Sequence, residues 1–74
     1  SFAKKTAHEV ARTRIATKLE PMNSYERRIV HNILTNYRGV YTESEGVEPH
    51  RYVVIKPKEA LYALQSSYKK QIKR

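Results

Sequence analysis

The sequence predicts an α+β fold in which helices pack on one small sheet. Three segments repeat apolar residues at steps of three and four positions, as amphipathic helices do. Two short runs rich in β-branched and aromatic residues lie between the second and third segments, and the turn that joins them predicts an antiparallel hairpin. The predicted order is therefore helix, short strand, helix, strand, strand and helix.

The first predicted helix spans residues 2 to about 16, a stretch with neither glycine nor proline. At ~100° of rotation per residue, small and apolar side chains fall on one arc of the helix, which could pack against a neighbouring element. Residues 17–20 form either a short edge strand or an extended link, because Pro21 disfavours a helical conformation at Glu20. The members of the arc are Ala3, Ala7, Val10, Ala11 and Ile15.

The second predicted helix begins at Asn23 or Ser24. Glu26 lies three residues after Asn23, which is the spacing of a capping box. A wide apolar stripe, expected to face the core, continues towards Gly39, where we expect the helix to end. The stripe comprises Tyr25, Ile29, Val30, Ile33, Leu34 and Tyr37.

The hairpin is predicted from a strand at residues 40–42, an acidic connection at 43–49 and a strand at 51–55. Side chains alternate along the second strand, so Tyr52 and Val54 lie on one face of the sheet and Val53 and Ile55 lie on the other. Because helices cover one face of the sheet, one of these two pairs belongs to the core.

Pro57 suits the first position of a last helix over residues 58 to about 73. Residues 56–74 carry six basic residues and one acid. This segment could clamp nucleic acid, lie on an anionic membrane, dock a partner, or simply cover the sheet. We therefore divide the chain into a domain at residues 1–56 and a basic amphipathic helix at 57–74, packed or partly free.

The chain has 74 residues, room for one small domain, which excludes two-domain enzymes. Fifteen Lys and Arg stand against seven Glu and no Asp, and the net charge of +8 indicates a polyanionic partner. The absence of cysteine excludes disulfides, thiolate metal sites and cysteine nucleophiles. No apolar run approaches the ~20 residues that span a bilayer, so we expect no membrane span.

Arg27 and His31 are one helical turn apart, at the border between the apolar stripe and solvent. At such a border the side-chain stems pack while the polar ends stay available. Guanidinium and imidazole groups both donate hydrogen bonds to phosphate oxygens. The alternative is that both are ordinary solvated residues on the polar face of the helix.

The segments at residues 21–31, 42–46 and 49–55 resemble three sequence blocks of the R-3-H domain. They read PMNSYERRIVH, TESEG and PHRYVVI. That family is named for an arginine and a histidine separated by three residues, and Arg27 and His31 take those positions. The resemblance is closest to the R-3-H domain that ends the bacterial Jag proteins, and it covers about residues 18–56.

The resemblance implies a three-stranded antiparallel sheet backed by helices that binds single-stranded nucleic acid, RNA in preference to DNA. It also implies a cytoplasmic bacterial regulator of cell elongation, division or sporulation, with a KH domain elsewhere in the full-length chain. Arg51 takes the position of the arginine that starts the family's last strand. Two departures are Ser24, where relatives have proline, and the 46–50 loop, where they often have a second glycine and an asparagine.

Single-strand binders combine positive charge for the backbone with aromatic faces for the bases. Tyr52, and also Tyr41, is a candidate stacking residue, although a tyrosine in such a strand is more often packing. The candidate basic residues are Arg27, Arg28, Arg38, His50, Arg51 and Lys56.

We expect neither a metal site nor a catalytic site. His8, His31 and His50 fall in different predicted elements, and the chain has no P-loop or carboxylate cluster. The sequence therefore predicts a non-enzymatic protein without a cofactor. The rival interpretation is a protein-interaction module whose basic surface docks an acidic partner.

Overall fold

The computed structural model describes residues 1–58 and shows two helices packed against a three-stranded antiparallel sheet. The helices are α1 (Phe2–Thr13) and α2 (Ser24–Leu34), and the strands are β1 (Thr17–Lys18), β2 (Val40–Glu45) and β3 (Tyr52–Pro57). The sheet order is β1-β3-β2, so β3 is the central strand. The predicted α+β fold is confirmed, while the helix predicted from residue 58 onwards lies, beyond its first residue, outside the described residues.

Helix α1 ends at Thr13, about three residues earlier than predicted. Arg14 adopts a left-handed conformation with φ of 63°, and its backbone N–H donates to the Val10 carbonyl at 2.8 Å. This cap turns the chain away from the helix axis, and Ile15, expected on the packing arc, is exposed. The buried residues of α1 are Ala3, Ala7 and Val10, all members of that arc.

Both edge strands pair with β3 in antiparallel register. Thr17 lies opposite Ile55, which settles residues 17 and 18 as a short edge strand. Strand β2 pairs along its whole length, from Val40 opposite Pro57 to Glu45 opposite Tyr52. It is therefore three residues longer than predicted, and the first part of the predicted acidic connection is strand.

Pro57 is the last residue of β3, and Lys58, where the predicted last helix begins, is helical. Strand β1 pairs with β3 only as far as Ile55, so no strand from residues 1–58 lies beside Pro57 on that side. A proline is tolerated there because its missing N–H deprives no neighbour of a hydrogen bond. Lys58 N–H continues the pairing on the other side by donating to the Gly39 carbonyl at 3.0 Å.

The core lies between the helices and one face of the sheet. Val53 and Ile55 are fully buried there, whereas Tyr52 lies on the opposite face and is only half-buried. Val53 and Ile55 are therefore the core pair, while Val54, which shares the face of Tyr52, is also buried but lies outside the core cluster. The largest fully buried side chains are Leu34, Ile55, Val10, Val40 and Val53.

Candidate nucleic-acid interface

A capping box fixes the start of α2. The Glu26 N–H donates to Asn23 Oδ1 at 2.8 Å, and the Asn23 N–H donates to Glu26 Oε1 at 3.1 Å. The predicted box is confirmed, with Asn23 as the cap. Because the box satisfies two otherwise unpaired N–H groups, it fixes the residue at which the helix begins.

The face of α2 that points inward differs from the predicted one. Leu34 and Arg27 are its buried residues, while Tyr25, Ile29 and Ile33 are exposed. At ~100° per residue, Leu34 and Arg27 are neighbours on the helix, whereas the three exposed residues form a stripe on another side. The expectation that the whole apolar stripe faces the core is wrong for Tyr25, Ile29 and Ile33. The helix also ends at Leu34, before Gly39.

Arg27 is buried and bound to two protein groups. Its Nη1 donates to the Met22 carbonyl at 2.5 Å, and its Nη2 forms an ion pair with Glu48 Oε2 at 2.5 Å. The Arg27 side chain is 8% exposed and that of Glu48 is 59% exposed. The expectation that its polar end stays available is wrong, because that end joins the segment before α2 to the loop between β2 and β3.

His31 joins α2 to β2. Its Nδ1 lies 2.5 Å from Thr42 Oγ1, and its Nε2 lies 3.0 Å from Ser44 Oγ. A hydroxyl both donates and accepts, so the two partners suit either tautomer of the ring. Thr42 and Ser44 are two residues apart on β2 and face the helix together. The i, i+4 spacing therefore places both signature residues against other elements of the fold.

Three basic residues lie at the end of the molecule where the start of α2 meets the hairpin loop. Arg51 Nη1 donates to the Gly46 carbonyl at 2.8 Å and Nη2 to the Ser44 carbonyl at 3.3 Å. The Met22 N–H donates to the Arg51 carbonyl at 3.1 Å, which brings the loop beside α2. The group, called the basic end below, comprises Arg28, His50 and Arg51, of which Arg28 and His50 are exposed.

Lys56 lies apart from the basic end. Its Nζ lies 2.6 Å from Glu43 Oε1 and 2.9 Å from Glu45 Oε2, on the sheet face that carries Tyr52. The hydrogen bond with Glu43, and then that with Glu45, raises the pKa of Lys56. These glutamates were expected in a solvated turn, but they lie in β2 and neutralise a predicted nucleic-acid ligand.

Arg38 also lies apart, in the turn between α2 and β2. The six-residue strand β2 separates this turn from the hairpin loop, a span of about 20 Å at the usual rise per residue. Arg38 lines a cleft of about 500 Å³ together with His8, Ala11, Arg14, Tyr37, Gly39 and Pro57. The six candidate basic residues are therefore divided among different parts of the molecule.

Tyr52 is held by its neighbours on the outer face of the sheet. Lys18 Nζ lies 5.3 Å from the centroid of its ring, within cation–π range. The ring edge also covers Gly46, where an added Cβ would lie 3.0 Å from Cε1. The half-buried ring thus packs in the fold, as the alternative interpretation of this tyrosine stated.

Sequence reasoning missed Glu48, Thr42 and Ser44 as the partners of the signature pair. The two hydroxyl residues alternate in the TESEG block, and this period of two on a strand could have indicated a common partner. Glu48 left no such pattern. Within residues 1–58 no group of three or more His, Cys, Asp or Glu could hold a metal ion, and no helix there is long and apolar enough to cross a membrane.

Comparison with known proteins gives a family and several relatives. Residues 1–57 match the family model of the R-3-H domain. The chain is 51% identical over 55 residues to "RNA-binding protein KhpB" of Clostridium symbiosum, and 47% identical over 54 residues to the protein of that name from Lactiplantibacillus plantarum. A third relative with the same name, from Streptococcus pneumoniae serotype 2, is 42% identical over 55 residues. These matches cover 73–74% of this chain but only 17–25% of the relatives, so the chain spans a quarter of their length or less.

Proposed function

This chain belongs to the R-3-H domain family, and on that premise we propose that it binds single-stranded nucleic acid, RNA in preference to DNA. The observation that carries the proposal is the match over residues 1–57, together with relatives named as RNA-binding proteins at 42–51% identity. The proposed mode is non-enzymatic binding, consistent with the charge of +8.

The basic end supplies the proposed phosphate contacts. The side chain of Arg28 forms no hydrogen bond or ion pair with the part of the chain that the structure describes. Arg51 uses two N–H groups for the Gly46 and Ser44 carbonyls, and a guanidinium has five, so donors remain. His50 is exposed in the same loop. An exposed cation near the backbone of a single strand attracts it electrostatically and releases counterions.

Arg27 and His31 belong to the proposed site as positioning residues. Arg27 links the loop that carries His50 to the start of α2 through Glu48 and the Met22 carbonyl. His31 holds β2, which leads into the same loop, against α2. Loss of either contact would let the basic end lose its geometry, so binding would fall without loss of a direct phosphate contact.

The role of the whole protein is also a proposal. The resemblance to Jag proteins supports a cytoplasmic bacterial regulator of cell elongation, division or sporulation. Most of the length of the three relatives lies outside the matched region, which leaves room for the KH domain that we propose elsewhere in the full-length protein.

The test is fluorescence-anisotropy binding of the 74-residue chain to single-stranded RNA and matched DNA at two salt concentrations. Arg28→Gln keeps most of the stem and removes the charge, and Arg12→Gln removes an equal charge from an exposed site on α1. We expect Arg28→Gln to weaken binding and to lower the salt slope by about 0.7, the value for one lost phosphate contact on a single strand.

Equal effects of the two substitutions would show that net charge alone drives binding and that the basic end is not the site. If the wild-type chain binds neither RNA nor DNA at low salt, the proposed function fails. The interpretation as a module that docks an acidic protein would then replace it.

A further inference from the structure

Tyr25 is an exposed aromatic residue that the fold does not use. It lies in the first turn of α2, and 69% of its surface is exposed. Its hydroxyl and ring form no hydrogen bond or cation–π contact within residues 1–58. Tyr52, by contrast, has Lys18 over its ring and Gly46 against its edge. Of these two tyrosines, Tyr25 is the one whose ring faces are available to a ligand.

Arg28 lies beside Tyr25 on the helix. Residues three apart on a helix have Cβ atoms about 5–6 Å from one another. Arg28 is exposed and makes no ion pair with the described residues. Two carboxylates of this region have other partners, since Glu26 accepts a hydrogen bond from the Asn23 N–H in the capping box and Glu48 pairs with Arg27. The surface around the Tyr25 ring thus combines an apolar ring with the cation of Arg28, a combination that complements a base and its phosphate.

An apolar groove lies beside the same turns of α2. Its volume is about 400 Å³, and it is lined by Pro21, Met22, Glu26, Ile29 and Val30. A groove of this kind alone would equally suit a protein side chain. Arg28, which has no ion-pair partner within residues 1–58, lies next to the aromatic ring and favours a nucleic acid, because every base offers an apolar face attached to a negative phosphate.

We propose that Tyr25 is the platform on which an unpaired base of the single strand stacks, while Arg28 binds an adjacent phosphate. The inference rests on the proposed function and adds a base contact to it. Stacking on one aromatic residue tolerates any base, since each base has a π face. The proposed contact therefore increases affinity without selecting a sequence.

The experiment compares a short oligouridylate with an abasic strand of equal length, which keeps the phosphates and removes the bases. The variants are Tyr25→Ala, Tyr25→Phe and Phe2→Ala, the last removing an aromatic residue that is 73% exposed on α1. We expect Tyr25→Ala to weaken binding of the oligouridylate by about 5-fold to 150-fold, the range for one stacked base. Tyr25→Phe and Phe2→Ala should stay within about twofold of wild type, and Tyr25→Ala should bind the abasic strand as wild type does.

Three results would overturn the inference. If Tyr25→Ala weakens binding to both strands equally, the ring contributes to structure or electrostatics instead of stacking. The proposal also fails if Phe2→Ala has the same effect as Tyr25→Ala. If Tyr25→Ala binds RNA normally but abolishes self-association in analytical ultracentrifugation, this face is a protein interface. Failure of the proposed function is distinguishable, because the wild-type chain would then bind neither strand.

Discussion

The ion pair between Arg27 and Glu48 provides a direct test of the fold around the signature pair. Glu48→Gln keeps the length of the side chain and an oxygen that accepts a hydrogen bond from Arg27, but it removes the negative charge. Arg27 then stays 8% exposed with its charge uncompensated. We therefore expect the substitution to lower the free energy of unfolding, even though Glu48 itself is more than half exposed.

The magnitude follows from the kind of bond lost. Hydrogen bonds to charged groups contribute about 1.5–3 kcal/mol, and neutral ones about 0.5–1.5 kcal/mol. The difference between the two kinds of hydrogen bond is about 1 kcal/mol, and leaving the buried Arg27 charge without a partner adds to it. Because water reaches the Glu48 side of the pair, we expect a total loss of about 1–2 kcal/mol in the free energy of unfolding. For a domain of this size that corresponds to a fall in Tm of about 4–16 °C.

The assay is thermal unfolding followed by circular dichroism at neutral pH. Glu43→Gln is the matched control, since it removes the same charge from a half-exposed glutamate whose partner Lys56 is 27% exposed and keeps Glu45. We expect the control to change Tm much less than Glu48→Gln does. Equal changes in Tm for the two variants would refute the reasoning that burial of Arg27 makes its ion pair important.

Two further predictions concern backbone strain and pH. Gly46 and Gly39 have φ of +91° and +90°, so alanine is strained at both by about 1–2 kcal/mol. Gly46→Ala should lower the urea midpoint of unfolding more than Gly39→Ala does, because its Cβ would also meet the Tyr52 ring at 3.0 Å. Equal midpoints for the two variants would contradict this. The hydrogen bond from Arg12 lowers the pKa of Glu9. The ionised Glu9 carboxylate therefore stabilises the folded state at neutral pH, and this contribution is lost as the pH falls through the lowered pKa. Acid titration followed by circular dichroism should show a smaller loss of stability in Glu9→Gln than in wild type; identical losses would contradict it.

The signature pair lies beside the small core, with Arg27 buried and His31 half-buried. A domain of this size has few apolar side chains to bury, and Arg27 and His31 supply packing volume together with directed hydrogen bonds. The Arg27 ion pair runs to the loop that carries Glu48 and both His31 hydrogen bonds run to β2, so the pair fixes α2 relative to the loop and to β2. In our proposal the residues that define the family build the interface, and their neighbours contact the nucleic acid.

Local patterns determined much of this structure. The capping box depends on two residues three positions apart, and the faces of β3 follow from the period of two in a strand. The buried arc of α1 and the α+β class followed from similar short-range rules, and the sequence blocks identified the family. All these features concern residues close in sequence, whose relative directions the backbone geometry fixes.

Only the tertiary structure decided which side of α2 faces the sheet. Periodicity gives angles between residues on one helix, but the rotation of that helix depends on partners far along the chain. Glu48 lies 21 residues from Arg27, and Thr42 and Ser44 lie 11 and 13 residues from His31. These contacts bury Arg27 and half-bury His31, while Tyr25, Ile29 and Ile33 of the apolar stripe stay exposed. Their free energy comes from hydrogen bonds that exist only when loop, strand and helix are assembled, which is why the sequence alone did not reveal the exposed ring of Tyr25.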